Sequence, residues 1–169
     1  MLARELGSTP GLRVGLVGSL FVCVWQKSAT LPDLVHLDAL QTDLVPRLRT
    51  FSMITLVSMK SAALAGPGVR EKAADMARRF DPSLIASALV LPDEGVIAGI
   101  TRAFITAHQL VFRHRSPIRV CRTLEDACQH LRTAPGQSRA LADLTDLPTI
   151  LRTFQMATPP HLAHAHPQG

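Results

Sequence analysis

Short apolar runs and amphipathic stretches alternate along the chain, and each kind of pattern predicts its own element. Five of the apolar runs predict strands, at 12–17, 20–25, 51–59, 84–91 and 118–121. The dipeptide Gly18-Ser19 separates the first two runs and fits the tight turn of a hairpin, with glycine where a positive φ is needed. The runs at 51–59 and 84–91 carry no charged residue, which is typical of strands covered on both faces.

Between and after these runs, apolar residues recur at helical spacing. Thr30 is a good N-cap for a first helix, because Asp33 stands three residues later and can answer it in a capping box. The buried stripe of that helix is expected to pass through Leu34, Leu37 and Gln41. Further helices are predicted at 66–80, 96–111 and 123–134, with one more short helix within 137–155.

The resulting order, β-β-α-β-α-β-α-β-α, predicts an α/β fold. We expect a single domain with a mixed, mostly parallel sheet of about five strands and helices packed against it. The predicted domain covers residues 12–134 and follows a flexible leader at 1–11. Residues 135–157 are a C-terminal extension with helical spacing, and the Pro- and His-rich tail at 158–169 is predicted to be disordered.

Composition narrows the class of protein. Of the 169 residues, 47% are hydrophobic, which is enough for a packed core and excludes a disordered or collagen-like chain. The net charge of +5 is mild and the arginines are spread along the chain, so nucleic acid is not an expected partner. The apolar runs are too short for a spanning helix and 14–25 is a poor signal peptide, so the expected location is the cytoplasm.

The residue types that carry chemistry form no catalytic motif. The segment Gly66-Pro67-Gly68 lacks the spacing of a nucleotide-binding loop, and we expect neither catalysis nor a cofactor; an enzyme would need several polar groups converging in one pocket. Cys23, Cys121 and Cys128 have no metal-type spacing and are expected to be reduced and buried. The tail histidines could hold a metal only with supporting groups, so no metal is expected either.

Two features are candidates for contact with a partner. The densest basic patch is a candidate site for a phosphate, a lipid headgroup or an acidic protein surface, and consists of Arg113, Arg115, Arg119 and Arg122. It has no interleaved aromatic residues, so it is a poor nucleic-acid site. Trp25, the single tryptophan, is either a core anchor or a partner contact.

Three stretches carry a resemblance to a known family: LFVCVW at 20–25, GVIAGITR at 95–102, and PIRV followed by LEDA within 117–127. With the order of elements over 12–134, they resemble STAS-type domains, the fold of bacterial anti-sigma-factor antagonists. More narrowly, they resemble STAS-like proteins of high-GC bacteria such as myxobacteria. The resemblance implies a β-α superhelical sheet and a role in protein–protein switching. In regulated members a Ser or Thr at the start of the second helix is phosphorylated; here Lys60 and Ala62 replace the family's acidic and glycine context.

We therefore expect a non-catalytic, STAS-like module that binds another protein through surface complementarity. The candidate contact residues lie around the start of the second helix: Ser58, Ser61, Gly66, Gly68 and Arg70. One alternative is an immunity or antagonist protein that neutralises a toxin. Another is a protein that binds a lipid or a small apolar ligand, which an apolar cavity opening near residues 113–122 would support. An exposed sheet edge would also allow a homodimer.

Overall fold

The computed structural model describes residues 2–57, 67–91 and 118–157 of the chain. Within them, six strands lie side by side in their order along the chain: β1 (Arg4–Ser8), β2 (Leu12–Val17), β3 (Leu20–Trp25), β4 (Phe51–Val57), β5 (Leu84–Val90) and β6 (Ile118–Cys121). The helices in these ranges are α1 (Leu31–Leu48), α2 (Pro67–Phe80), α3 (Leu124–Thr133), α4 (Arg139–Ala142) and α5 (Leu147–Met156), and a 3₁₀ turn at Asp81–Ser83 follows α2. The helix predicted at 96–111 lies outside the described residues.

The sheet is mixed, as predicted. Strands β1, β2 and β3 pair antiparallel, while β3, β4, β5 and β6 pair parallel. Helix α1 joins β3 to β4, and α2 lies in the connection from β4 to β5, as parallel neighbours require. The turn between β2 and β3 is the predicted hairpin turn, with Gly18 at a φ of 59°. The α/β class is therefore confirmed.

The strand count differs from the predicted five because the segment expected to be a flexible leader forms β1. This strand pairs with β2 from Arg4 opposite Leu16 to Ser8 opposite Arg13. Its sequence, RELGS, is short and carries two charges and a glycine, so it lacks the apolar alternation that marks a strand. The extended conformation of β1 is therefore stabilised by its pairing with the β2–β3 hairpin and not by its own sequence.

Helices cover both faces of the sheet, and the alternation of side chains along each strand divides the core into two layers. Phe21, Cys23 and Phe51 are buried on the face covered by α1 and α2. Val22 and Ile54 are buried on the opposite face, against α3, α4 and α5.

In the described part of the chain, no helix is both long enough and apolar enough to cross a membrane.

The C-terminal extension is an integral part of the second layer. It contains two helices, α4 and α5, where one was expected. Their buried residues belong to the same cluster as the strand residues of that face: Leu141, Leu147, Ile150, Leu151 and Phe154. In the described residues, β1 therefore pairs with the sheet and α4 and α5 pack against it, although all three lie outside the segment 12–134. The tail at 158–169 lies outside the described residues.

The N-terminus of α1 is tied to the loop between β1 and β2 through one carboxylate. Asp33 is buried, and its Oδ2 accepts from the Thr30 backbone amide at 3.0 Å and from the Thr30 hydroxyl at 2.6 Å. Its Oδ1 accepts from the Thr9 hydroxyl at 2.5 Å. Burial alone would raise the pKa of Asp33, but the hydrogen bonds from Thr30 and Thr9 outweigh burial and lower the pKa below its ordinary value.

This arrangement predicts acid sensitivity. Because the pKa of Asp33 is lower in the folded chain, its carboxylate stabilises the fold above the ordinary value of 3.8, and that contribution is lost as the pH falls through and below this value. We expect Asp33→Asn to cost about 1–2 kcal/mol at neutral pH. We also expect the loss of stability between about pH 5 and 3 to be shallower in Asp33→Asn than in the wild type. Urea unfolding at several pH values measures both, and equal slopes in the two proteins would contradict the account.

Candidate functional site: an apolar cleft beneath the first two helices

A cleft of about 250 Å³ lies between the sheet and the pair of helices α1 and α2. The sheet side is lined by residues of four neighbouring strands: Cys23, Trp25, Phe51, Met53, Thr55, Leu84, Ser87 and Ile118. The helical side is lined by Leu34, Leu37 and Gln41 of α1, by Ala73, Met76, Ala77 and Phe80 of α2, and by Asp81 just after α2. Aromatic, aliphatic and thioether side chains therefore make up most of the described walls.

Two small residues of α2 line the cleft, Ala77, which is half-buried, and Ala73, which is exposed. Ala73 and Ala77 are one helical turn apart and both line the cleft. The larger Met76 and Phe80 on the same helix are buried and seat it against the core. Helix α2 is thus held in place while its alanines leave space above the sheet.

Ion pairs between α1 and α2 fix the two helices over the cleft. Asp38 of α1 lies 2.6 Å from Lys72 Nζ and 2.8 Å from a terminal nitrogen of Arg79, both on α2. Burial alone would raise the pKa of Asp38, but the hydrogen bond from Lys72 and the positive charges of Lys72 and Arg79 lower it overall. Asp38 is therefore ionised at neutral pH and engages both cations.

The described walls contain few polar groups, and one of them is deeply buried. Gln41 is only 4% exposed, and its Nε2 donates to Met53 Sδ at 3.8 Å, although a thioether is a weak acceptor. Thr55 and Ser87 add hydroxyls from the sheet, and Asp81 adds a carboxylate. Among the described residues that line the cleft, none is a lysine, arginine or histidine.

The cysteines are reduced and buried, as predicted. Cys23 lines the cleft, and burial raises the pKa of its thiol to about 12. Burial also raises the pKa of Cys128 to about 12. Since the thiolate is the reactive form, Cys23 contributes apolar surface to the cleft and no nucleophile. In the three described ranges, no group of three or more His, Cys, Asp or Glu side chains is placed to hold a metal ion.

The predicted partner-contact residues are described only in part. Gly68 and Arg70 are exposed in the first turn of α2. Ser58, Ser61 and Gly66 lie outside the described residues. Recognition of a protein partner at this position therefore stays a prediction from the sequence.

The predicted basic patch is also described only in part, and its described members are separate from the cleft. Arg113 and Arg115 lie outside the described residues, whereas Arg119 and Arg122 are exposed. Ile118 lines the cleft, so the next residue of the strand, Arg119, is directed to the opposite face of the sheet. Arg119 acts there on His130 of α3, whose pKa is lowered by burial and further by the Arg119 charge.

Two residues of the sequence, Trp25 and Gln41, indicate this cleft although they belong to no motif. Trp25 is half-buried and lines it, which differs from a simple core anchor. Gln41 occupies a position on the buried stripe of α1, where an apolar residue is the rule. A buried polar residue is the informative exception to an apolar stripe, and Gln41 therefore marks the face of α1 that lines the cleft.

Comparisons of the chain with protein-family models, with curated proteins and with solved structures found no match. The resemblance to STAS-type domains accordingly stays a prediction, and the function has to be argued from the site itself.

Proposed function

We propose that this protein binds a small apolar molecule in the cleft between α1, α2 and the sheet. The observation that carries the proposal is the cleft itself: about 250 Å³ lined mainly by aromatic, aliphatic and thioether side chains, with a few polar groups among them. Ligand sites in proteins combine these features, a mostly apolar wall and a small number of placed polar groups. This was the second alternative that the sequence left open.

The size of the cleft sets the size of the ligand. An apolar cavity of roughly 150 Å³ holds benzene, which has six carbon atoms. By proportion, a cleft of about 250 Å³ holds a molecule of about ten non-hydrogen atoms. The two methionines in the wall, Met53 and Met76, allow the cleft to adapt to different shapes because their side chains are unbranched and flexible.

Trp25 provides a direct test. It is the single tryptophan of a chain that has no tyrosine, and it lines the cleft, so its emission reports on that site alone. We expect ethylbenzene, added at increasing concentration, to change the Trp25 emission and to saturate with a Kd at or below about 1 mM.

A pair of variants on one helix separates the cleft from non-specific effects. Ala77→Leu adds side-chain volume to the cleft and is expected to weaken ethylbenzene binding by at least about tenfold, without loss of thermal stability because it occupies empty space. Ala74→Leu makes the same change at a residue of α2 that does not line the cleft, and should bind like the wild type. Equal binding by Ala77→Leu and wild type, or no binding by wild type, would overturn the proposed function.

A further inference from the structure

The described walls of the cleft also define the class of molecule that fits it, an inference that rests on the proposed function. We infer that the ligand is uncharged and carries one oxygen, of an alcohol or a carbonyl group, that accepts a hydrogen bond from the side-chain amide of Gln41. The remainder of the ligand is apolar and lies against the aromatic and thioether side chains.

The charges around the cleft disfavour an acid. No described residue of its lining is a lysine, arginine or histidine. Two cations of α2, Lys72 and Arg79, are engaged by Asp38. Arg119 is directed to the opposite face of the sheet. The described walls therefore offer a carboxylate or phosphate no cationic partner, and a buried charge without a partner is costly.

The environment of Gln41 indicates where the ligand oxygen lies. Its side chain is 4% exposed and its Nε2 has a thioether, Met53 Sδ, as acceptor at 3.8 Å. Buried amides are normally satisfied by stronger acceptors. Gln41 and Met53 both line the cleft, so a ligand oxygen beside them would give the Gln41 amide a stronger acceptor than the thioether.

Four probes with one skeleton test the inference: ethylbenzene, 2-phenylethanol, phenylacetate and 2-phenylethylamine, each titrated at about pH 7 while Trp25 emission is followed. We expect 2-phenylethanol to bind at least about tenfold more tightly than the ionised acid or the ionised amine. We expect Gln41→Leu to weaken 2-phenylethanol relative to ethylbenzene by about fivefold, the value of one hydrogen bond. Gln41→Met, which keeps the length of the side chain, should behave as Gln41→Leu does.

The outcomes separate this inference from the proposed function. If ethylbenzene and 2-phenylethanol bind and both Gln41 variants change their affinities equally, the inference fails and the proposed function stands. Tightest binding by phenylacetate or by the amine also overturns the inference. If none of the four probes alters Trp25 emission, both the inference and the proposed function fail.

Discussion

Arg13→Met is expected to destabilise the protein by about 3–5 kcal/mol, because it removes a buried guanidinium that pairs with a partly buried carboxylate and donates to two backbone carbonyls. Arg13 lies on β2 and is 6% exposed. Its Nε and one terminal nitrogen contact Glu5 Oε2 at 3.1 and 2.7 Å. The other terminal nitrogen donates to the carbonyl oxygens of Phe154 and Ala157, each at 2.6 Å.

The size of this effect follows from what the guanidinium connects. Arg13 joins β1, through Glu5, to the C-terminal end of α5, where backbone carbonyls lack helical partners. It also lies 4.2 Å from the centre of the Phe154 ring, in a cation–π contact. Without Arg13, the Glu5 carboxylate is left partly buried and unpaired, and α5 loses its main polar attachment to the sheet.

Two further variants test this explanation. Arg47 forms an exposed ion pair with Asp43 on α1, so Arg47→Met should change the free energy of unfolding by no more than about 1 kcal/mol. Adding Glu5→Gln to Arg13→Met removes the unpaired charge and should recover part of the loss. Urea unfolding provides all three values, and similar losses for Arg13→Met and Arg47→Met would contradict the assigned role of Arg13.

Gly15→Ala is expected to cost about 1–3 kcal/mol through overpacking of the second layer. A Cβ atom at Gly15 would lie 2.6 Å from Cζ of Phe154 and 2.8 Å from its neighbour Cε2. The ring has little room to move, since Phe154 is buried and the Arg13 guanidinium covers it. Position 15 of β2 therefore requires glycine, because the Phe154 ring occupies the space that a Cβ atom would take.

The same substitution, glycine to alanine, is expected to raise the free energy of unfolding at Gly68. Gly68 is exposed in α2, and a Cβ there would meet no atom within 4 Å, so Gly68→Ala should stabilise the protein by about 0.4–1 kcal/mol. Phe154→Leu removes the far end of the ring, and the double variant with Gly15→Ala should be less destabilised than the sum of the single variants. Strict additivity would show that the ring and Gly15 are not coupled.

The parts of the fold that the sequence predicted well are those with local signals. Strands β2 and β3 were predicted because apolar runs flank the turn dipeptide Gly18-Ser19, and α1 because Thr30 and Asp33 mark its start. Strand β1 was missed because its order comes from pairing with β2 and from the contact of Glu5 with Arg13, neither of which leaves a local pattern. Long-range contacts of this kind are the general reason that edge elements escape local prediction.

The candidate site was less predictable than the fold. The sequence predicts surface contact residues and a basic patch, whereas the structure contains a cleft that residues of four strands and two helices enclose. The empty volume between a sheet and its helices cannot be predicted from a sequence until it is known which elements pack against each other. The sequence places Gln41 on the buried stripe of α1. Its amide is seen to line the cleft, beside Met53 of β4, only once α1 is packed against the sheet.

Methionine methyl NMR tests the central claim most directly, because the chain carries its own internal control. Met53 and Met76 line the cleft, while Met156 at the end of α5 is 83% exposed and far from any lining residue in the sequence. On addition of 2-phenylethanol, the account predicts that the methyl signals of Met53 and Met76 shift with one common Kd while that of Met156 stays in place. Unchanged signals from Met53 and Met76, or an equal shift of Met156, would contradict ligand binding in the cleft.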